Sequence, residues 1–252
     1  MSFWNLFRVK SSHRGTEARR HKENKEGGIG VQNESSLHRE LKLRYAGQGG
    51  QIEVIVGDFI IDGLRKDGEY IEVQTGSFAP LAKKVKALAK TAKVRIIHPI
   101  AITKTIEVYK PNGEFLHRRK SPKKASIWNI FDALLHAPLL ALTPNVTIEL
   151  VLVEIIEKRI KDGKGGRRWK GKDSVHDKEL TKLCESIILK KKADYLKLFI
   201  PFKKADDFTC SSLAKEAGIN TFAAGRALYV LTKLKIVKRT GKKGNAWVYR
   251  RG

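Results

Sequence analysis

The order in which hydrophobic periodicity changes between Glu34 and Pro99 constrains the fold more than any other feature of this chain. Behind Ser35-Ser36, Leu37, Leu41 and Tyr45 recur at helical spacing, and Gly47, Gly49 and Gly50 end that helix. Ile52, Val54 and Val56 then alternate with Glu53 and Ile55, the period of a strand, and Gly57 marks a bulge or tight turn. Phe59-Ile60-Ile61-Asp62 is a second apolar run, Asp67-Gly68 carries a hairpin signal, and Tyr70 to Thr75 reads as the returning strand. A helix from Pro80 to Lys90 follows, with Leu81, Val85, Leu88 and Ala89 inward and Lys83, Lys84, Lys86 and Lys90 mostly outward. Val94 to Ile97 is another strand, ending at Pro99. Helix, three strands, helix, strand builds an α/β domain: a mixed sheet with helices on both faces.

Beyond it, residues 105–110 read as one more strand, and a basic break at 120–124 precedes a helix from Ser126 to His136. Val146 to Ile156 is β-branched and buried in character. In residues 158–172, eight of fifteen are Lys or Arg and four are Gly, which predicts a basic hairpin or flexible loop. Ser174-x-x-Asp177 reads as a capping box opening a helix through Leu189. At the C-terminal end come a short helix around Tyr195–Ile200 and a second at Ser211–Ala217, closed by Gly218. A third, capped by Asn220, has Phe222, Leu228, Leu231 and Leu234 as its core face, and a hairpin follows around Gly241–Gly244. That order predicts a winged helix-turn-helix. The expected division is a basic arm over 1–33, an α/β domain over 34–120, a connecting region over 121–192 and the winged helix over 193–252.

Charge narrows the function. There are 51 Lys and Arg against 26 Asp and Glu, a formal net charge of +25, and polyphosphate backbones are the commonest partners of such an excess. No apolar run reaches the ~18 residues a spanning helix needs, so a membrane partner is not expected. The first residues lack the pattern of a secretory signal, and Cys184 and Cys210 lack CxxC spacing. A reducing, cytoplasmic location is the expectation.

Three carboxylates stand where phosphodiester hydrolysis would use them: Glu40 on the first helix, Asp62 at the end of the second strand, and Glu72 on the return strand two residues before Gln74. Period-two geometry puts Glu72 and Gln74 on the face opposite Ile71 and Val73, with Asp62 on the partner strand. Two carboxylates hold Mg²⁺ while leaving positions for water and a phosphate oxygen. Glu40, Ile61-Asp62 and Glu72-Val73-Gln74 resemble the motif set of PD-(D/E)xK nucleases, over residues 34–110. The stretch IEVQTGS resembles the variant with Gln in place of the motif lysine. The resemblance implies a restriction endonuclease-like core, Mg²⁺ or Mn²⁺ as cofactor, Asp62 and Glu72 as metal ligands, and Glu40 as a further ligand or supporting acid. Gln74 would orient water, and Lys83 or Lys84 would supply the charge the motif lacks. The alternative for Glu40 is a helical pair with Arg44.

For binding, the third C-terminal helix offers Asn220, Thr221 and Arg226, and the wing offers Lys238, Arg239, Lys242, Lys243 and Arg250, with no acid after Lys238. Backbone and shape recognition are expected more than base readout. Arg167, Arg168, Trp169 and Lys170 place a tryptophan among cations, suited to stacking on a base or to anchoring the loop. The sequence therefore predicts a Mg²⁺-dependent endodeoxyribonuclease acting on duplex or branched DNA, with homodimerisation and RNA as substrate left open. The competing reading is a DNA-binding regulator that uses the nuclease-like domain as a scaffold.

Overall fold

The computed structural model describes residues 34–123, 125–165 and 172–252. The arm over 1–33 and the loop residues Arg167, Arg168, Trp169 and Lys170 lie outside these. The architecture is mixed α/β. One sheet has seven strands and a second has three.

The first helix, α1 (Ser36–Ala46), is capped by the Ser35 side chain. Gly50, just beyond, could carry no side chain, because a Cβ there would lie 2.2 Å from the Ala46 carbonyl oxygen. Then come β1 (Gln51–Val56), β2 (Phe59–Leu64) and β3 (Tyr70–Val73), joined antiparallel, and α2 (Ala82–Leu88). β4 (Val94–Tyr109) lies parallel to β3 and to β6 (Val146–Gly165). β5 (Phe115–Lys120) is antiparallel to the far half of β4, and β7 (Lys172–Leu189) is antiparallel to β6. The two faces of the sheet are packed separately. Ile71, Val73, Ile97, Val151 and Val153 bury α1 through Leu37 and Leu41. Val94, Ile96, Ile100, Ile148 and Leu150 bury α2, α3 (Ile130–Leu134) and the turns around it on the other face. Each such side chain, fully buried, contributes roughly 1.5–3 kcal/mol.

Two expectations are corrected. Pro99 does not end a strand, because β4 runs through it as one element. Tyr70 N–H donates to the Lys93 carbonyl and Gln74 N–H to that of Ile97, whereas Val94 N–H donates to Asn145 on the opposite side. Odd-numbered residues of β4 thus face β3. β3 ends opposite Ile97, so the N–H that Pro99 lacks has no partner to lose. Nor is 174–189 a helix: it pairs with β6 from Ile148↔Leu189 to Ile160↔Ser174, and the ladder overrides the local helix signal. Asp177 does cap a helix, but a distant one. Its carboxylate accepts from Ser36 N–H at 2.9 Å and Ser36 Oγ at 2.6 Å, at the start of α1.

After β7 come α4 (Lys192–Phe199), β8 (Phe208–Thr209), α5 (Cys210–Ala217) and α6 (Thr221–Lys233), then the hairpin β9 (Val237–Lys243) and β10 (Ala246–Arg251). Gly218, in the left-handed conformation at φ +61, ends α5, and Asn220 caps α6 through Ala223 N–H at 2.8 Å. This part is not detached from the large sheet. Phe199 packs edge-on against Trp128 and Phe131 at 5.1 and 4.7 Å between ring centroids, and α6 lies on α3.

Candidate functional site

The acidic site arises where β2 and β3 part. Their ladder pairs Leu64 with Tyr70 and Gly63 with Ile71, and stops there. The next residue of β2, Asp62, takes over the pairing with its side chain: Oδ2 accepts the Val73 N–H at 2.8 Å. The same oxygen lies 3.2 Å from His38 Nε2, and Lys42 Nζ lies 3.6 Å from Oδ1. Burial alone would push this carboxyl up. The His38 and Val73 hydrogen bonds, with the His38 and Lys42 charges, hold it below its ordinary value.

Glu72, the residue before Val73, points to the other face of β3 and is 1% exposed. Lys84, from α2, brings its ammonium 2.6 Å from Glu72 Oε1 and also donates to the Ile60 carbonyl. Here burial dominates. It pushes Glu72 up to about 7, Asp62's charge adds to the rise, and Lys84 only partly offsets it. The pair is therefore split: Asp62 holds its charge firmly, and Glu72 sits at the edge of ionisation near neutral pH.

Not all of the expected residues join. Glu40 lies on a half-exposed face of α1, its carboxylate 2.6 Å from Arg44 Nε, so the helical pair is the arrangement present and Glu40 is not among the groups holding Asp62. Gln74 sits just past β3, where its side-chain amide donates to the Ser77 carbonyl at 2.6 Å and its own carbonyl accepts from His98 Nδ1 at 2.6 Å. Its role visible in the geometry is to shape the loop after β3. Lys83 is exposed, and Lys84 is the lysine that reaches Glu72. The sequence reading missed Glu34, His38 and Lys42, where Lys42 bridges to Glu34 at 2.8 Å and to Glu53 at 3.2 Å. Their i, i+4, i+8 spacing beside Leu37 and Leu41 was the available signal. Among the described residues, no three His, Cys, Asp or Glu side chains stand grouped as a cation cage.

The C-terminal part presents a cationic, aromatic surface. Lys238, Arg239, Lys242 and Lys243 are exposed along β9, and Arg239 and Lys242 flank the Trp247 ring at 4.5 and 4.6 Å. Arg250 instead grips Asp207 through two hydrogen bonds of 2.9 and 3.0 Å. Arg226 pairs with Asp132 of α3 at 2.9 Å and lies over the Phe222 ring at 4.2 Å, so it fastens α6 to the body of the protein. Asn220 spends its carbonyl oxygen on the helix cap, and Thr221 stays exposed. Phe222 is not a core residue: it is 70% exposed, on the outer face of α6 with Thr221, Gly225, Tyr229 and Lys233. One residue out of phase with Leu228 and Leu231, it falls on the opposite side of the helix.

Residues 35–190 match the family model described as "Domain of unknown function (DUF8091)", and the chain belongs to that family. The match begins at the cap of α1 and ends one residue after β7, so it covers the large sheet with α1, α2 and α3. The chain is also 26% identical over 224 residues to an uncharacterized protein of Treponema pallidum (strain Nichols), covering 86% of this chain and 85% of that one. No solved structure matches. Among the described residues, no helix is long and apolar enough to cross a membrane.

Proposed function

We propose that this protein is a metal-dependent DNA endonuclease of PD-(D/E)xK type, with a restriction endonuclease-like core and a C-terminal winged helix that holds the DNA. The observation that carries the reading is the placement of Asp62, Glu72 and Lys84 around one parting of two strands, the lysine 2.6 Å from Glu72. The donor set fits Mg²⁺ or Mn²⁺. Two adjacent carboxylates repel, since Asp62 contributes to raising Glu72, and a divalent ion relieves that repulsion while keeping waters of its own. Such an ion would acidify a water and offset charge on the phosphate. Asp62 and Glu72 would hold it. Lys84, released from Glu72, would turn to the phosphate, taking the place that Gln74 leaves without charge. His38 and Lys42 would keep Asp62 ionised. The wing lysines and arginines would bind the backbone, with Trp247, Phe222 and Tyr229 offering surfaces for unpaired bases.

One observation favours the competing reading, a non-catalytic DNA-binding regulator: both oxygens of Asp62 already face protein partners, Val73 N–H, His38 and Lys42. The experiment that separates them is cleavage of labelled linear, single-stranded and four-way-junction DNA with Mg²⁺ or Mn²⁺. The expected outcome is cutting by the wild type and intact binding with cleavage reduced on the order of 10²-fold or more in Asp62→Ala, Glu72→Ala and Lys84→Ala. Tight binding with no cleavage under either metal would leave the regulator reading.

A further inference from the structure

A cleft of about 410 Å³ opens beside the loop Thr75–Ser77, and the reason for it lies in strand order. β3 leaves the edge of β4 after Ile97, and β5 takes that edge only where Ser121 N–H meets the Lys104 carbonyl. Between them, among the described residues, no strand covers this edge of β4. Pro99 and Ala101 precede the bulge between Ala101 and Thr103, beyond which the even-numbered Lys104 faces β5, and as odd-numbered residues they turn their backbone groups to this vacated edge: two carbonyl acceptors and one N–H donor, since Pro99 brings none. The side walls are apolar, from Leu37, Ala101, Val153 and Ile155.

A buried group adds a further acceptor. His98 is 5% exposed and lines the cleft. Its Nδ1–H donates to the Gln74 carbonyl, and burial pushes its pKa down, so the ring is neutral and Nε2 carries a lone pair. Among the described residues Nε2 has no hydrogen-bond partner. The charged groups sort in a telling way. The acids of the cleft are already matched, Asp132 by Arg226 and Asn129, Glu157 by Lys104 and Arg159. Lys123 and Lys178, at the same cleft, have no carboxylate partner among the described residues.

We infer that this cleft takes one nucleotide, its base edge read by His98 Nε2 and the Pro99–Ala101 backbone, and its phosphate held by Lys123 and Lys178. The volume lies at the small end of ligand pockets, as a single nucleotide requires. The inference rests on the nucleic-acid reading above, because the loop forming one wall follows directly on Glu72-x-Gln74 and would set the bound nucleotide beside the acidic pair. The nucleotide could arrive as a base turned out of a strand or as a free nucleotide.

The test uses the full chain with single-stranded and junction DNA carrying 2-aminopurine, and separately with deoxyadenosine monophosphate followed by NMR titration. Lys178→Ala and Ala101→Leu are compared with wild type, after thermal unfolding confirms that each is folded. The expected result is a rise of at least about threefold in 2-aminopurine emission on binding, lost in both variants at DNA concentrations that anisotropy shows to be saturating for each. Nucleotide binding that both variants lose, without an emission change, also supports the cleft and identifies free nucleotide as the source. DNA binding with neither emission change nor nucleotide binding overturns the inference and leaves the proposed function standing. Nucleotide binding without DNA binding does the reverse, and binding of neither overturns both.

Discussion

Burial and a neighbouring charge act together on Glu72. A glutamate in an unfolded chain titrates near ~4.3, and burial with Asp62 nearby moves this one up to about 7. Between those values the folded chain keeps a proton that the unfolded chain has released. Its contribution to stability is therefore full below the unfolded value and is lost as pH rises through about 7. Glu72→Gln imitates the protonated form at every pH. Urea unfolding at a series of pH values is expected to show the variant gaining on wild type from pH 5 to 8, by on the order of 1–3 kcal/mol at the upper end. A difference independent of pH would mean that Lys84 keeps Glu72 ionised throughout. The nearness of Asp62 to Glu72 was legible in the sequence because the Asp67-Gly68 hairpin sets β2 beside β3. The partners that split them were not. His38 and Lys42 reach Asp62 only because α1 packs across Ile71 and Val73, and no local pattern encodes that packing.

At the scale of elements, the first half of the fold was readable and the long strands were not. From α1 to the start of β4 each element carries its own turn or cap, such as Ser35, Gly57 and Gly68, so local signals agree with the whole. β7 carries an apparent helix cap, and Leu180, Leu183 and Ile187 recur three and four residues apart, at helical spacing. Only the presence of β6 decides, and β6 is known as a partner only in three dimensions. Pro99 misled for a related reason, because its effect depends on which edge its missing N–H faces. Asp177 turns the misreading into a measurement. In Asp177→Ala, α1 loses the acceptor for Ser36 N–H and Oγ. The expected cost is about 1 kcal/mol. The added hydrogen exchange should appear in the amides of 36–39, far away in sequence. Were 174–189 helical, the faster exchange would appear at 177–180 instead.

At the scale of the whole molecule, a net charge of +25 favours an anionic partner without saying where it would bind. The structure sorts the cations by what they already do. Arg226 is tied to Asp132, Arg250 to Asp207 and Arg95 to Glu69 and Glu149, so these hold the protein together. Lys238, Arg239, Lys242 and Lys243 are exposed along one strand without a carboxylate partner among the described residues, and they are the ones free to displace counterions from a phosphate backbone. Each such contact contributes about 0.9 to the slope of log affinity against log salt for duplex DNA. Alanine at all four positions is expected to flatten that slope by up to about 3.6, whereas Arg250→Gln should change it by less than about 0.5. Titrations from low to physiological salt give both slopes directly. Equal flattening by the two variants would mean that Arg250 leaves Asp207 when DNA binds, and that charge in this half of the molecule is shared between structure and recognition.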